Sequence, residues 1–412
     1  MFRNCLYYFS LIIFLFISLN IFADTGKTTK DLWADRVKVG GSVSLAGLAA
    51  NQAPTTIGIQ GHDGNTSNLI LNYSDLNFTA ILLEWMTAYT DIAYAQQAPA
   101  FIHDQPGNGN VLFLQEAYLK LGTSKTSPYY LKAGLINLPF GGLNYSSNME
   151  SFIQLLSLNG PPTLQVGVEQ EQGINGSVYV FTKDKLVTDT DSTNVRDYGM
   201  AISYIHKSSE VGYRVGAGLI SNLLSNFFIG NTTANNSNLH QGRYVHHVPG
   251  LNLQALFNYY RFDGGLRFIG ALEPASVNDV PFTTDGGSHL IGAKLAGWSA
   301  VLGYTFDIFD YTSRLVGGYE GTSQAAAVGT ASGAENFNSK SAVSVYNTNP
   351  KVNNYAVIGL PKSRIFAMYK LHVNKFAAVS LEIDDYLSYS TSNGGTGKNA
   401  LMTMLQIGVQ YG

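Results

Sequence analysis

Residues able to do chemistry are few and scattered in this 412-residue chain. Two adjacent histidines, His246 and His247, stand in RYVHHVPG, and His103 precedes Asp104. A histidine pair can begin a zinc site, but a site needs about three or four ligands. No third ligand lies at a suitable spacing, and a solvated pair at a loop–strand boundary accounts for these two. His103–Asp104 could serve acid–base chemistry at the rim of a barrel enzyme, yet an ordinary polar loop explains it better. The chain has no HExxH, no GxSxG and no phosphate-binding P-loop. Its one cysteine, Cys5, falls in an apolar leader. The sequence therefore predicts no catalytic set, no metal site and no cofactor.

Charges taken as a set say more. Glu116, Lys120, Lys132, Glu169, Arg214, Arg267, Arg364, Lys370, Glu382 and Asp384 fall on the polar side of segments that alternate in character. At membrane depth such groups are costly against lipid and tolerable around water. Any hydrated barrel needs a polar lining, and that accounts for most of them. The functional reading is a pore whose mixed charges set which solutes pass. Both signs occur, so strong selectivity for one ion charge does not follow.

The segments that must position these charges are strands. LNLQALFNYY (251–260) places Leu251, Leu253, Ala255, Phe257 and Tyr259 on one face, with Asn252, Gln254 and Asn258 on the other. RIFAMYKLHV (364–373) and VSLEID (379–384) alternate in the same way. VLFLQEAYLKL (111–121) sets Glu116, Tyr118 and Lys120 opposite Phe113, Ala117, Leu119 and Leu121. That is the two-residue period of a strand with one apolar face, which soluble sandwiches also show.

Composition separates the two. Hydrophobic residues make up 45% of the chain and aromatics 12%, but charged residues only 13%. Ordinary soluble domains carry about 25% charged residues. The opening MFRNCLYYFSLIIFLFISLNIFA has one basic residue, a short apolar run and a small residue at Ala23, the pattern of a secretory signal peptide over 1–23. A short periplasmic segment, 24–36, is expected to follow, too short for a plug domain, with a barrel over 37–412. Export without cysteines rules out disulfides, and no remaining apolar run could span a bilayer as a helix. The net charge of −3 gives no sign of nucleic acid.

Connections alternate in length. Short links fall near Glu84–Trp85, 123–128, Gln172–Gly173, 206–210, FDGG (262–265), 308–313 and 372–375. Long ones occupy 47–66, 97–110, 138–162, 184–196, 222–248, 274–287, 321–360 and 391–399. Treating 289–307 as one long strand keeps the alternation intact. The expected fold is an all-β, transmembrane antiparallel β-barrel of about 16 strands, with 14 or 18 as the alternatives, short periplasmic turns and long extracellular loops. The final MLQIGVQYG would be its closing strand, its odd face against lipid and its even face in the lumen. Tyr411 resembles the terminal aromatic read by the barrel-assembly machinery. Outer-membrane lipid and that machinery are thus the expected partners, in a Gram-negative outer membrane.

One long loop, NLPFGGLNYSSNMESFIQLLSLNGPP (137–162), is unusually apolar. Pro139, Phe140, Gly141 and Gly142 end a strand sharply, and Phe152 opens a run that needs burial. An exposed patch of that size would promote association. Folding modestly inward to narrow the barrel is the favoured reading, with a short helix over the rim as the alternative.

The order of these stretches is similar to that of LbtU-type siderophore porins. The matching segments are VKVGGSVS (37–44), QEAYLKLGTSKTSPYYLKAG (115–134) followed by LPFG (138–141), and VGVEQEQGINGSVYVF (166–181). VPGLNLQALF (248–257), WSAVLGYTF (298–306) and GLPKSR (359–364) continue the likeness. The resemblance implies an outer-membrane porin that takes up a ferric siderophore without TonB, by facilitated diffusion. A general porin, or one selective for another solute, is the alternative.

Overall fold

Sixteen amphipathic strands cannot bury one apolar face each against a protein core of this size, but they can turn it to lipid if the sheet closes on itself. Closure also pairs every backbone N–H and C=O that would otherwise face hydrocarbon. The computed structural model describes residues 36–51, 66–95, 111–122, 127–141, 147–148, 151–157, 161–182, 197–225, 246–277, 279–285, 289–326, 360–393, 395 and 397–411. The leader at 1–23 and most of the segment after it lie outside these residues. The barrel belongs to the compact unit Val39–Gly412; of the separate unit Met1–Lys38, only residues 36–38 are described.

The strands are β1 (Val37–Ala50), β2 (Thr66–Leu83), β3 (Met86–Ala95), β4 (Val111–Leu121), β5 (Tyr129–Leu135), β6 (Pro162–Val168), β7 (Gly173–Phe181), β8 (Asp197–Lys207) and β9 (Val211–Ile220). They continue as β10 (Gly250–Tyr259), β11 (Phe262–Ala271), β12 (Pro281–Thr283), β13 (Leu290–Gly292), β14 (Ala296–Ile308), β15 (Tyr311–Ser323), β16 (Ser363–His372), β17 (Ala377–Leu387) and β18 (Asn399–Tyr411). A short helix, α1, spans Phe152–Ser157. All but β12 and β13 form one closed antiparallel barrel, so the ring has sixteen strands. β12 and β13 pair separately, inside a long loop. The closing pair is β1 with β18, in register from Gly41↔Tyr411 to Ala50↔Met402.

Side chains follow the pleat. On β18, Leu401, Leu405, Ile407, Val409 and Tyr411 are exposed, while Met402 and Met404 are buried. The exposed apolar row recurs on strand after strand, as a surface that meets lipid does. Near the short turns it becomes aromatic, with Tyr213, Tyr259, Phe262, Tyr304 and Tyr311 exposed and in ring contact at several points. Such a girdle marks a membrane interface. The barrel is an outer-membrane structure, and its short turns correspond to the periplasmic side. The inner, loop-side ends of the strands instead carry a contiguous apolar core, including Phe181, Ile220, Ile269 and Met402.

Three local features depart from the sequence reading. Residues 289–307 are not one strand. The first part leaves the ring because its backbone bonds go elsewhere: Ala293 N–H donates to Val280, and Ala275 N–H donates to Ala293. The barrel strand begins only at Ala296. The turn expected at FDGG lies earlier, at Tyr260–Arg261, where Tyr260 takes a φ of 50°. Gly264 and Gly265 sit within the ladder opposite Phe257 and Leu256. Phe113 is on the lumen face, not the lipid face. A bulge between Asp91 and Ile92 in the β3–β4 pairing leaves Gln115 unpaired, and one extra residue flips all those beyond it. Phe113 then faces the fully buried Ala93, and Leu112 and Leu114 point outward.

The seam depends on one small residue. A Cβ on Gly41 would stand 2.4 Å from the Asp75 carbonyl and 2.8 Å from the Tyr411 hydroxyl. Gly41→Val should therefore weaken closure by about 1–3 kcal/mol, the usual cost of overpacking. The readout is the temperature at which folded barrel converts to the slow-migrating unfolded band in a gel. No downward shift would show that the seam tolerates bulk there.

Candidate functional site: the lumen wall and the inward loop

β5 ends at Leu135, and the chain then turns into the barrel. Phe140 is buried, its ring resting where β10 has Gly250, 3.2 Å from the position a Cβ would take. Pro139 lies half-buried in the same bend. Gly141 has a φ of +87°, which a side chain would strain, and its Cβ position is filled by Ser157. Gly142 lies outside the described residues. After this turn α1 packs against β11, β14 and β15. Phe152, Ile153, Leu155 and Leu156 are all buried. Leu156 seats over Gly297 of β14, 2.7 Å from where a Cβ would be. The loop therefore folds inward, and the run of apolar residues that needed burial finds it against the inner wall.

Polar contacts fix its other end. Arg364 of β16 is fully buried and lies level with Glu320 of β15 and Tyr386 of β17. Its Nε is 3.4 Å from Glu320 and 3.5 Å from Asp384, both fully buried. Nη2 donates to Ser147 Oγ at 2.9 Å, and the guanidinium lies 4.6 Å from the Phe366 ring centroid. Glu382 accepts from the Ser147 hydroxyl and, at 2.6 Å, from Asn148 N–H. Ser380 and the Asn148 amide exchange hydrogen bonds, and Phe152 N–H donates to Glu320 at 3.2 Å. Glu320, Glu382 and the Arg364 guanidinium thus hold the inward loop by its backbone and hydroxyl groups, with Asp384 beside the guanidinium. The arrangement suits backbone N–H donors, which any residue supplies, so little in the loop sequence announces it.

The other expected lining residues spread over the wall. Glu116 on β4 accepts from Asn137 N–H at 2.9 Å and so marks where the loop departs. Lys120 of β4 lies directly opposite Lys132 of β5, both on the lumen face. Glu169 is beyond the end of β6, in the turn, and its carboxylate pairs with Lys120. Arg214 on β9 and Arg267 on β11 face inward on either side of β10. Lys370 on β16 stands opposite Arg314 of β15, whose guanidinium is occupied by Asp263. Glu382, Asp384 and Arg364 meet at the loop anchor; the rest do not converge on one point. Around the ring, the carboxylates Asp91 and Glu116 are on β3 and β4, and Arg267 is on β11. β3 and β11 are eight strands apart in a ring of sixteen, so these groups lie on opposite sides of it.

Glu320, Tyr386, Ser147, Asn148, Asp91 and Arg314 were not anticipated. For Glu320 a signal existed: it alternates with Tyr319 and Gly321 in YEGTS, the same parity that exposed Arg364. Of the histidines, His247 lies 3.4 Å from Asp197, whose carboxylate also accepts from Ser225 at 2.5 Å and Ser221 at 3.3 Å. This cluster ties the β9–β10 loop to β8. His246 N–H donates to Asp279 at 3.3 Å. His103 and Asp104 lie outside the described residues.

Known structures with this arrangement can now be compared. OprB of Pseudomonas putida is similar over 93% of this chain and 96% of its own, with a TM-score of 0.56 and 12% identity. OmpF of Salmonella typhi is similar over 91% and 97%, with a TM-score of 0.53 and 11% identity. The outer membrane channel DcaP of Acinetobacter baumannii gives 91% and 97%, a TM-score of 0.51 and 10% identity. The fold is that of the porins. No protein-family model matches the chain. In sequence, it is 25% identical over 398 residues to a UPF0422 protein of Legionella pneumophila strain Philadelphia 1, covering 90% of this chain. A UPF0422 protein of Coxiella burnetii is 23% identical over 346 residues, or 81% of this chain. The matched region spans only 66% and 62% of those relatives' lengths.

Removing Arg364 would leave three buried carboxylates without their cation. Arg364→Met should cost about 3–5 kcal/mol, the range for breaking a buried pair. Arg364→Met combined with Glu320→Gln should be less damaging than the single change. Urea denaturation of both variants in detergent tests the order. Equal losses would mean that the two residues do not act as a pair.

Proposed function

We infer that this protein is a diffusion channel of the outer membrane, narrowed by its own loop. The observation that carries this reading is the packing of α1 and Ser147–Asn148 against the inner wall of a closed, polar-lined barrel. A loop anchored on buried charges reduces the free cross-section at one level and leaves the turn-side half to water. Both signs of charge remain on the wall, so solutes pass through a mixed field with no dominant sign. The buried charged groups that meet around Arg364 are engaged in holding the loop.

The finer reading is TonB-independent uptake of a ferric siderophore by facilitated diffusion. It rests on the ordered resemblance of 37–44, 115–134, 138–141, 166–181, 248–257, 298–306 and 359–364 to the LbtU-type porins. In the barrel these stretches fall on β1, β4–β5 and the bend after them, β6–β7, β10, β14 and the start of β16. A porin for other small polar solutes is the alternative.

Refolded protein in planar bilayers should give stepwise conductance, and Gly297→Leu, which removes the seat of Leu156, should raise the step size. No conductance from correctly folded protein would overturn the channel reading. A strain lacking the gene should take up less labelled ferric siderophore and grow more slowly in iron-poor medium. Unchanged uptake, with sugars still permeating liposomes that contain the protein, would favour the general porin.

A further inference from the structure

Three successive short turns around the ring carry an aromatic side chain at the tip, past the girdle. The β14–β15 turn is two residues long, since Ile308 pairs with Tyr311. Its residues, Phe309 and Asp310, have φ of 46° and 66°, as in the tight hairpin turn that Asn-Gly fills most readily. A bulky residue rarely takes a positive φ, yet Phe309 does so with 90% of its surface exposed. Tyr260 opens the neighbouring two-residue turn between β10 and β11, again at positive φ and exposed. Its ring stands edge-on to Tyr259, centroids 4.6 Å apart. The two turns are tied together: Thr305 N–H donates to the Arg261 carbonyl at 2.8 Å, and Arg261 Nη2 lies 3.4 Å from Asp307. In the β16–β17 turn Asn374 Oδ1 accepts from Phe376 N–H and Ala377 N–H, and the Phe376 side chain is exposed. Past the seam, Trp85 in the β2–β3 turn is exposed as well. The β6–β7 and β8–β9 turns differ. They present 169–172 and 208–210, all exposed and none aromatic.

We propose that the aromatic turns sit among the phospholipid headgroups of the periplasmic leaflet, whereas the β6–β7 and β8–β9 turns stand in water. In water an exposed Phe309 gains nothing that offsets its strained turn. At headgroup level an aromatic ring is favoured. Tyr259 and Tyr311, next in the chain to these tips, belong to the girdle against lipid, so the tips continue that surface and do not begin a separate one. Lys375, exposed with its Nζ 4.7 Å from the Phe376 ring centroid, adds a cation among the lipid phosphates. Glu171 and Glu210 would be repelled there. Because the two sets of turns occupy different arcs of the ring, the barrel axis inclines toward the β10–β17 side. This seating concerns the outer surface and does not depend on what the lumen conducts.

Spin labelling of the refolded full chain in phosphatidylethanolamine–phosphatidylglycerol vesicles tests this, with Cys5→Ser removing the native thiol. Asp310→Cys and Ser209→Cys place the label in an aromatic turn and in a polar one. The label at 310 should collide more with oxygen than with a water-soluble nickel chelate, and the label at 209 should do the reverse. Phe309→Ser combined with Tyr260→Ser should shift the label at 310 toward the values at 209, and Phe309→Trp should leave it unmoved. Gel migration before and after heating checks that each variant is a folded barrel. Equal values at 310 and 209 overturn the proposal while both aromatic tips are still in place. If both positions are water-like, the tips are left to a soluble periplasmic partner. A lipid-like label at 310 that does not move when both rings are lost overturns it too.

Discussion

Everything in this protein depends on the pairing of β1 with β18. In hydrocarbon an unpaired backbone N–H or C=O costs several kcal/mol, so a sheet of sixteen strands is tolerable there only as a ring. Once the ring exists, each strand has one face toward lipid and one toward water, and side-chain type is set by parity. The lipid face needs no partner and stays apolar. The inner face must either be hydrated or be filled from within. Both solutions occur here, at opposite ends of the barrel.

At the loop-side end the lumen is partly filled. An apolar core of wall residues accepts Phe140, α1 and the 3-10 turn at Leu223–Ser225, all supplied by loops. Glycines at 250 and 297 make the wall concave where Phe140 and Leu156 press on it. Packing of this kind has no preferred direction, so it does not by itself fix where the loop lies. The buried charges supply that. The Arg364 guanidinium donates to a loop hydroxyl, the Glu320 and Glu382 carboxylates accept from loop backbone and hydroxyl groups, and a shifted loop would leave them desolvated without those bonds. Apolar burial draws the loop inward, and the charge cluster specifies its register.

The barrel was legible in the sequence because lipid imposes a two-residue period and alternating connection lengths, both of which are local patterns. Parity placed Arg364, Glu382 and Asp384 on the inner face for the same reason. The misreadings arose where a local pattern is broken by something distant. Phe113 was assigned to the wrong side because a one-residue bulge, invisible in the composition of β4, resets parity beyond it. Residues 289–307 read as one strand because both pieces alternate; only the competing bonds from 275–280 divide them. FDGG has the composition of a turn, but its glycines serve strand packing, with the Phe257 ring covering Gly264. The convergence of Arg364, Glu320 and Ser147 joins three separate parts of the chain. No spacing rule could have announced it.

The polar end follows from the filled one. Because the loop takes up the wall groups around Arg364, the lining left to water is the turn-side arc of lysines, arginines and tyrosines. The lysine pair lies on β4 and β5, across the ring from β11, β14 and β15, against which α1 packs. Among the described residues, α1 therefore fills the side of the barrel opposite β4 and β5. Apolar burial and charge anchoring are thus one arrangement, since Phe152 N–H at the start of the buried helix is the group that Glu320 holds.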